Sequence, residues 1–178
     1  MELVVRPTTK ADIVAAEACL TDGKAALAEL DIPQWQGEYP NRIDIAEDIE
    51  HGAAYVAESA DGALVGTLAL SFTGDETYDT IDGAWLTDSS SSSPTYGVIH
   101  RCAVSRAAAH QGVMSFMFEE CERIAREHGA KSMRIDTHER NLPLHGLVQK
   151  LGYQRCGVIT LPYEGEADPL RVAFEKLL

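Results

Sequence analysis

The feature that most constrains the fold is the stretch of residues 96–127, in which two different apolar patterns meet at a short loop. Residues 96–104, Tyr-Gly-Val-Ile-His-Arg-Cys-Ala-Val, are apolar, partly β-branched and short enough for a strand. A loop of small residues follows and ends at Gly112. From Val113 to Ile124, apolar residues then recur in steps of three and four, the spacing of one helical face. The sequence therefore predicts a strand, a small-residue loop and a helix in that order.

This arrangement is typical of an anion site. A helix that starts directly after such a loop has unpaired backbone N–H groups and the positive end of its dipole at its first turn. The chain has 28 acidic and 15 basic residues, yet residues 89–118 contain no acid, and Arg101 and Arg106 lie within them. Since a net charge of −13 repels phosphates, a phosphate site needs such a neutral or positive approach. The competing interpretation is a buried strand beside a serine-rich loop.

The composition is that of one soluble globular protein. The 178 residues are 45% hydrophobic and 24% charged, with no apolar run of membrane-spanning length and no signal peptide. We therefore expect a single domain over residues 1–178, located in the cytoplasm, with no membrane partner. The four cysteines lack metal-type spacing and are interpreted as buried hydrophobic residues, and no metal site is predicted. The acidic balance argues against nucleic acid and favours a cationic or amine-bearing partner.

The first half of the chain predicts antiparallel strands and helices. Residues 3–6 are expected to form a strand, and a capping box at Thr9 opens a helix that Asp22-Gly23 should break or bend. Residues 53–58 and 64–72 are expected to form a hairpin. Residues 73–95, which include five consecutive serines, are expected to be a mobile loop excursion within the domain.

The second half predicts a crossover. A strand at residues 132–137 follows the central helix, and strand, helix and strand in this order make a right-handed connection between parallel strands. A short helix at residues 144–151 and closing strands at 153–160 and 170–174 complete the chain. The acids and bases within residues 119–127 are interpreted as a solvated helix face. The predicted fold class is α/β, or α+β with a mixed sheet, antiparallel in its N-terminal half with a parallel β-α-β crossover in its second half.

At this point the chain resembles a known family. The pieces Val-Ile-His-Arg-Cys-Ala-Val-Ser, the loop to Gly112, Arg-Ile-Asp-Thr-His-Glu-Arg-Asn and Gln-Lys-Leu-Gly-Tyr are similar to the GNAT superfamily of acyl-CoA-dependent N-acyltransferases. The resemblance is clearest over residues 96–159 and extends more weakly over nearly the whole chain. In that family the strand before the loop splays from its neighbour and pairs with pantetheine, and the loop and helix start hold the pyrophosphate.

The resemblance implies acetyl-CoA as co-substrate and a set of cofactor-binding residues. Cys102, Ala103 and Val104 are expected along the pantetheine and thioester. The pyrophosphate is expected at Ala109, His110, Gln111, Gly112, Val113, Met114 and Ser115, and Asn141 at the cofactor arm. Only the central glycine of the family's loop pattern is retained, since Ala109 and Met114 stand where the family has Arg or Gln and Gly or Ala. Asn141 could equally cap the following helix.

The acid and base of the reaction are less evident. The family's usual proton-donating tyrosine position is occupied by Val148, which cannot donate a proton. The catalytic candidates are His100, because an unperturbed imidazole has a suitable pKa, His138, because it follows a strand end, and Tyr153 as a proton donor to the thiolate. Each also has a structural interpretation as a packed or hydrogen-bonded residue.

Trp35, Glu38 and Tyr39 are candidates for the acceptor pocket, and Gln-Trp with Tyr-Pro is similar to the substrate-side region of one bacterial branch. Their alternative role is to fix a surface loop. The predicted function is acetyl transfer from acetyl-CoA to a small or peptide amine by direct attack in a ternary complex, with a homodimer possible. The alternatives are a catalytically inactive CoA-binding regulatory or partner-binding module, and an unrelated phosphate-binding protein.

Overall fold

The computed structural model describes residues 2–162 and 168–178. The chain forms two compact units. The first unit consists of Met1–Asp31, Trp35–Leu70 and His100–Cys121, and the second of Ile32–Gln34, Ser71–Ile99 and Glu122–Leu178. No helix in the described ranges is both long enough and apolar enough to span a bilayer. The expectation of one domain over residues 1–178 stays a prediction.

The helices and strands follow in chain order. The strands are β1 (Leu3–Pro7), β2 (Ala54–Ser59), β3 (Leu64–Ser71), β4 (Asp82–Gly83), β5 (Tyr96–Val104), β6 (Ser132–Thr137), β7 (Gln154–Thr160) and β8 (Leu170–Leu177). The helices are α1 (Ile13–Glu29), α2 (Arg42–Glu50), α3 (Val113–His128) and α4 (Leu142–Lys150). The strand order is β1-β2-β3-β5-β6-β8-β7-β4.

In the first unit, β1, β2 and β3 pair antiparallel, which confirms the predicted hairpin. Val56 of β2 is fully buried in a cluster with Ala16 and Leu20 of α1, Ile45 of α2, and Ala103. Because Ala103 belongs to β5, this cluster ties the last residues of that strand to both helices.

The prediction that Asp22-Gly23 breaks the helix is wrong, because α1 runs unbroken through both residues, and a bend there stays a prediction. A Cβ at Gly23 would lie 3.0 Å from the Cβ of Ala103 and 3.5 Å from the Trp35 ring. The glycine therefore permits close packing of the helix against β5 rather than ending the helix. Close packing of this kind outweighs the modest helix propensity of glycine.

The second unit contains the parallel pair. Tyr96, Gly97 and Val98 of β5 pair in parallel with Ser132, Met133 and Arg134 of β6, which confirms the predicted crossover. β8 then pairs antiparallel with both β6 and β7, and β4 pairs antiparallel with β7. The mixed fold class predicted from the sequence is confirmed.

Residues 73–95 carry defined structure. They include a single 3₁₀ turn, Glu76–Asp79, and the short strand β4. The Arg134 guanidinium lies 4.2 Å from the Trp85 ring centroid and 3.9 Å from that of Tyr96, and it pairs with the buried Glu175 at 3.1 Å. Thr87 also donates to Glu175 at 2.5 Å. These contacts fix part of the segment to the second unit, and its mobility stays a prediction.

One residue of the presumed solvated face of α3 is buried. Glu122 is only 3% exposed, and its Oε2 accepts a hydrogen bond from Lys176 Nζ at 2.6 Å. The interpretation of Glu122 as a solvated residue is therefore wrong. The partner of Glu122, Lys176, lies on β8, 54 residues away in sequence, so the charges near Glu122 do not predict the pair.

Candidate functional site

The loop between β5 and α3 has the geometry of an anion site. A 3₁₀ turn at Arg106–Ala108 leads to two residues with left-handed backbones, His110 at φ 62° and Gly112 at φ 81°. The Phe116 N–H donates to the Gly112 carbonyl at 3.1 Å, which closes the first turn of α3. The N–H groups of the residues between them have no partner within the helix, as is general for a helix start.

The approach to this loop is open. Residues 109–112 are exposed, and a Cβ added at Gly112 would meet no atom within 4 Å. Val113 is buried, whereas Met114 and Ser115 are half-buried. A phosphate could therefore approach the backbone at Gly112, so the residues present fit the pyrophosphate of a CoA ligand.

Close packing against β3 holds the start of α3. A Cβ at Gly66 would lie 2.7 Å from Met117 Sδ and 3.1 Å from Val113 Cγ1. A Cβ contact of 2.7 Å is shorter than real ones, so an added side chain at residue 66 would displace the Met117 side chain and press on Val113. The position of the candidate anion site thus depends on a glycine on a neighbouring strand.

The two arginines of the acid-free window are both ion-paired. Arg106 donates to Glu29 at 2.5 Å, and its backbone N–H donates to Asp22 at 2.7 Å. Arg101 pairs with Asp48 at 2.5 Å. Residues 89–118 contain no acid, but acids from other segments pair with both arginines. A phosphate at this loop would therefore rely on backbone N–H groups and the helix dipole rather than on arginine charge.

Arg101 joins β5 to α2 and to the predicted acceptor loop. Its backbone is left-handed, at φ 50°, in the middle of a strand. Nε and Nη2 donate to the two oxygens of Asp48, and Nη1 donates to the Tyr39 hydroxyl at 3.1 Å. Burial lowers the pKa of Arg101, but Tyr39 and Asp48 raise it by more, so its pKa lies above the usual value. No local sequence pattern identified this cluster.

A small cavity of about 10 Å³, room for one water molecule, adjoins the guanidinium. Its lining consists of Leu20, Ile45, Asp48, Ala54, Thr67, Leu68 and Arg101.

Two of the three predicted acceptor residues contact β5 or its cluster. Trp35 packs against the buried cluster that contains Ala103, and Tyr39, 47% exposed, accepts the hydrogen bond from Arg101. Glu38 is exposed, and its backbone carbonyl accepts a hydrogen bond from Lys24 Nζ at 2.9 Å. The first unit thus brings Trp35 and Tyr39 to the strand that carries Cys102 and Val104, which are both half-buried.

The two predicted catalytic histidines differ in their surroundings. His100 is half-buried on β5, directly before Arg101. The side chain of His138 is 1% exposed, and its Nε2 bonds Asp168 Oδ2 at 2.8 Å. Its Nδ1 accepts from the Arg140 backbone N–H at 3.1 Å. Both nitrogens of His138 are therefore engaged, which favours a structural role, and its catalytic role stays a prediction.

The remaining predicted residues lie in the second unit. Asn141 caps α4, since its Oδ1 accepts from the Leu144 N–H at 3.4 Å while its Nδ2 donates to Thr137 at 3.0 Å. Tyr153 is 3% exposed with Lys176 Nζ 5.8 Å from its ring centroid, and Val148 is fully buried. The capping interpretation of Asn141 is confirmed, and contact with a cofactor stays a prediction for Asn141, as does proton donation for Tyr153.

Asp136 on β6 was not predicted from the sequence. Its Oδ1 accepts a hydrogen bond at 2.8 Å from Tyr78, which is 1% exposed. Burial raises the pKa of Asp136 to about 6, although the Tyr78 hydrogen bond lowers it. Polar and apolar residues alternate along β6, so its local sequence does not single out Asp136, and the Tyr78 partner is 58 residues away.

Comparisons with known proteins agree on one family. A model of the acetyltransferase (GNAT) family matches residues 24–153. A GNAT-family acetyltransferase from Streptococcus agalactiae has a similar structure, with a TM-score of 0.84 and 31% identity over 99% of this chain and 95% of that one. No curated protein matches the chain.

More distant structures share the fold. A GNAT-family acetyltransferase from Listeria monocytogenes has a TM-score of 0.73 at 22% identity, covering 100% of this chain and 96% of that one. A ribosomal-protein-alanine N-acetyltransferase from Brucella melitensis has a TM-score of 0.69 at 16% identity, and the match covers 98% of this chain and 99% of that one. The family model spans most of the chain, and the Streptococcus agalactiae structure matches nearly all of it. This chain therefore belongs to the GNAT family of acetyltransferases.

Proposed function

We propose that the protein is an N-acetyltransferase that moves the acetyl group of acetyl-CoA to an amine acceptor by direct attack in a ternary complex. The observation that carries this proposal is the open start of α3, where exposed backbone at residues 109–112 meets a helix N-terminus in a chain of the GNAT family. Bound acetyl-CoA would supply an acetyl group activated as a thioester. The acceptor proposed is a small or peptide amine, and the proposed location is the cytoplasm.

The chain's own residues would do three things. The backbone from Gln111 to Ser115 would hold the pyrophosphate, with no arginine side chain needed. The strand residues Cys102, Ala103 and Val104 would line the pantetheine and offer a backbone N–H to the carbonyl oxygen as negative charge develops on it. Holding both reactants in place can lower the barrier by about 7–11 kcal/mol in ideal cases.

The acceptor would be held by the residues of the first unit that contact β5 or the buried cluster around Ala103. Trp35 and Tyr39 supply aromatic surface, and Tyr39 is oriented by Arg101. Glu38 adds an exposed negative charge that suits a cationic amine. The net charge of −13 also favours the approach of a cation.

Calorimetric titration with acetyl-CoA, with ATP as the control ligand, tests the cofactor site. The variant Gly112→Asp places a negative charge at the loop, and Gly62→Asp is the matched control. Both glycines are exposed with left-handed backbones, at φ 81° and 82°, and neither has an atom within 4 Å of an added Cβ. Backbone strain and charge change are therefore the same in the two variants.

We expect wild type and Gly62→Asp to bind acetyl-CoA equally, and Gly112→Asp to bind at least tenfold more weakly. Thiol release from acetyl-CoA in the presence of an amine panel then tests transfer. Binding of acetyl-CoA without amine-stimulated thiol release would support the inactive CoA-binding module instead. Equal weakening in both variants, or no binding by wild type, would refute the loop as the pyrophosphate site.

A further inference from the structure

We propose that Lys24 is a positioning residue of this enzyme: from helix α1 it holds the loop of residues 36–38 in the shape that receives the acceptor amine. This inference rests on the proposed acetyl transfer and adds to it a residue that is not among the predicted site residues. All the residues involved lie in the first unit, within Met1–Asp31, Trp35–Leu70 and His100–Cys121.

The segment around Gly37, which carries the predicted acceptor residues, has little structure of its own. Residues 36–39 belong to no helix or strand and are exposed, and a Cβ added at Gly37 would meet no atom within 4 Å. Such a segment has few apolar contacts to hold it, so its shape depends on the polar groups that bind its backbone. Trp35 and Tyr39, the two aromatic acceptor candidates, stand at its two ends.

Lys24 binds this backbone at two adjacent carbonyls. Its Nζ donates to the Gly37 oxygen and to the Glu38 oxygen, both at 2.9 Å. Gln36 binds in the opposite direction, because its Nε2 donates to the backbone oxygen of Lys24 at 3.1 Å. Hydrogen bonds donated by an ammonium group are stronger than those between neutral groups. A single residue of α1 therefore fixes three consecutive residues of the loop.

The same turn of α1 contacts the strand that is proposed to line the thioester. A Cβ added at Gly23 would lie 3.0 Å from the Cβ of Ala103 and 3.5 Å from the Trp35 ring, so the Gly23 backbone packs closely on both. Lys24 is the next residue of the helix. The turn formed by Gly23 and Lys24 thus connects the acceptor loop to β5 through direct contacts.

Other side chains also hold this segment, so a change at Lys24 should loosen it without unfolding the unit. Arg101 Nη1 donates to the Tyr39 hydroxyl at 3.1 Å, and Asn41 Nδ2 donates to the Glu38 oxygen at 3.3 Å. Because the Lys24 contacts are exposed to solvent, their loss should change local order more than global stability. The acceptor would then have to order the loop as it binds, and this cost appears in the acceptor KM rather than in kcat.

The test compares Lys24→Met with Lys24→Arg and Lys10→Met. Methionine keeps an apolar stem but has no N–H to donate, whereas arginine keeps the charge and the donors. Lys10→Met is the control, because it removes the same charge from an exposed residue of the first unit. With alanine amide or spermidine as acceptor, we expect Lys24→Met to raise the acceptor KM about tenfold, with kcat and the calorimetric Kd for acetyl-CoA unchanged. Lys24→Arg and Lys10→Met should stay within about threefold of wild type.

A second measurement needs neither cofactor nor acceptor. In a Trp85→Phe background, Trp35 is the remaining tryptophan, and it directly precedes the anchored segment. We expect acrylamide to quench the Trp35 fluorescence about twofold more efficiently in Lys24→Met, because a released loop exposes the ring more often. Quenching in Lys24→Arg should equal that in the background protein.

Two kinds of result would overturn the role of Lys24 while the proposed function stands. One is an acceptor KM in Lys24→Met within about threefold of wild type, or unchanged quenching of Trp35. The other is a lower kcat with an unchanged KM, since the loss would then not lie in acceptor binding. If wild type transfers acetyl groups to no amine, the proposed function fails and the acceptor role of Lys24 fails with it, and the quenching alone then decides whether Lys24 holds the loop.

Discussion

Arg101 has a backbone conformation that few residues other than glycine adopt, at φ 50° within a strand. Such a conformation costs roughly 1–3 kcal/mol and persists only where surrounding contacts fix it. Here the contacts are the two-oxygen pairing with Asp48 and the hydrogen bond to Tyr39. Arg101 immediately precedes Cys102, Ala103 and Val104, the proposed thioester-lining residues at the end of β5.

The pairing of Arg101 with Asp48 should matter for stability, since their side chains are only 20% and 15% exposed. We expect Asp48→Asn to lower the free energy of unfolding by about 3 kcal/mol, because it leaves a buried guanidinium without its counter-charge. Glu29→Gln is the control, since Glu29 and Arg106 are 64% and 63% exposed and such pairs contribute about 0–1 kcal/mol. Urea unfolding measures both, and equal effects would contradict the prediction.

Asp136 should make stability depend on pH with a definite sign. Its folded pKa of about 6 lies above the ordinary 3.8, so the native state holds the proton longer than the unfolded chain does. Stability from this group is therefore present below about pH 4, falls as the pH rises towards 6, and is constant above that. An asparagine in place of Asp136 cannot ionise, so the variant escapes this loss.

We therefore expect Asp136→Asn to be more stable than wild type by about 1–3 kcal/mol at pH 7.5, and equal to it near pH 3.5. Thermal and urea unfolding at the two pH values check this. A variant that is less stable than wild type at pH 7.5 would contradict the raised pKa of Asp136 as the source of the pH dependence.

At the scale of elements, the sequence predicted a helix or strand correctly where the spacing of apolar residues within that segment is enough to define it. The hairpin of β2 and β3 and the crossover of β5, α3 and β6 were predicted for this reason. The failures share another cause. Gly23 packs on Ala103, Glu122 pairs with Lys176, and Asp136 bonds Tyr78, all partners distant in sequence. No local pattern contains the identity of a distant partner.

In the candidate site, too, features defined by a local pattern were predicted and features that depend on a distant partner were not. The loop around Gly112 was predicted because a helix start is readable from sequence, whereas the pairing of Arg101 with Asp48 was not. The prediction of His138 as a base rested on its place in the loop after a strand, which does not reveal that Asp168 and the Arg140 N–H engage both ring nitrogens. The residue type therefore predicts which reactions a side chain can take part in, but it does not predict whether other groups already occupy its polar atoms.

The close packing of α3 against Gly66 of β3 gives a prediction at the scale of elements. Gly66→Ala should displace Met117 and Val113, lower the free energy of unfolding by about 1–3 kcal/mol and weaken acetyl-CoA binding, because the helix start moves. Gly146→Ala is the matched control in α4, where an added Cβ meets nothing within 4 Å. Replacing a helical glycine there should stabilise the protein by about 0.5–1 kcal/mol. Equal acetyl-CoA affinity in both variants would contradict the role of Gly66.

At the scale of the whole molecule, the two compact units divide β5 and α3 between them, and only the last residue of β3, Ser71, falls in the second unit. The boundary between them falls within β5, after Ile99, and within α3, after Cys121. Unfolding one unit alone would leave half of a strand and half of a helix without their ladder and core contacts. Since a partial helix or strand is unstable by itself, we predict that both units unfold in a single cooperative transition.

The chain's two tryptophans allow a direct test, because Trp35 lies in the first unit and Trp85 in the second. In Trp85→Phe the fluorescence reports only the first unit, and in Trp35→Phe only the second. Each substitution alters stability, so the comparison is made within each variant between the fluorescence midpoint and the circular dichroism midpoint in urea. We expect the two midpoints to coincide in both variants, as one domain over residues 1–178 requires. Separate midpoints in either variant would mean that the units fold independently, and the single-domain prediction would fail.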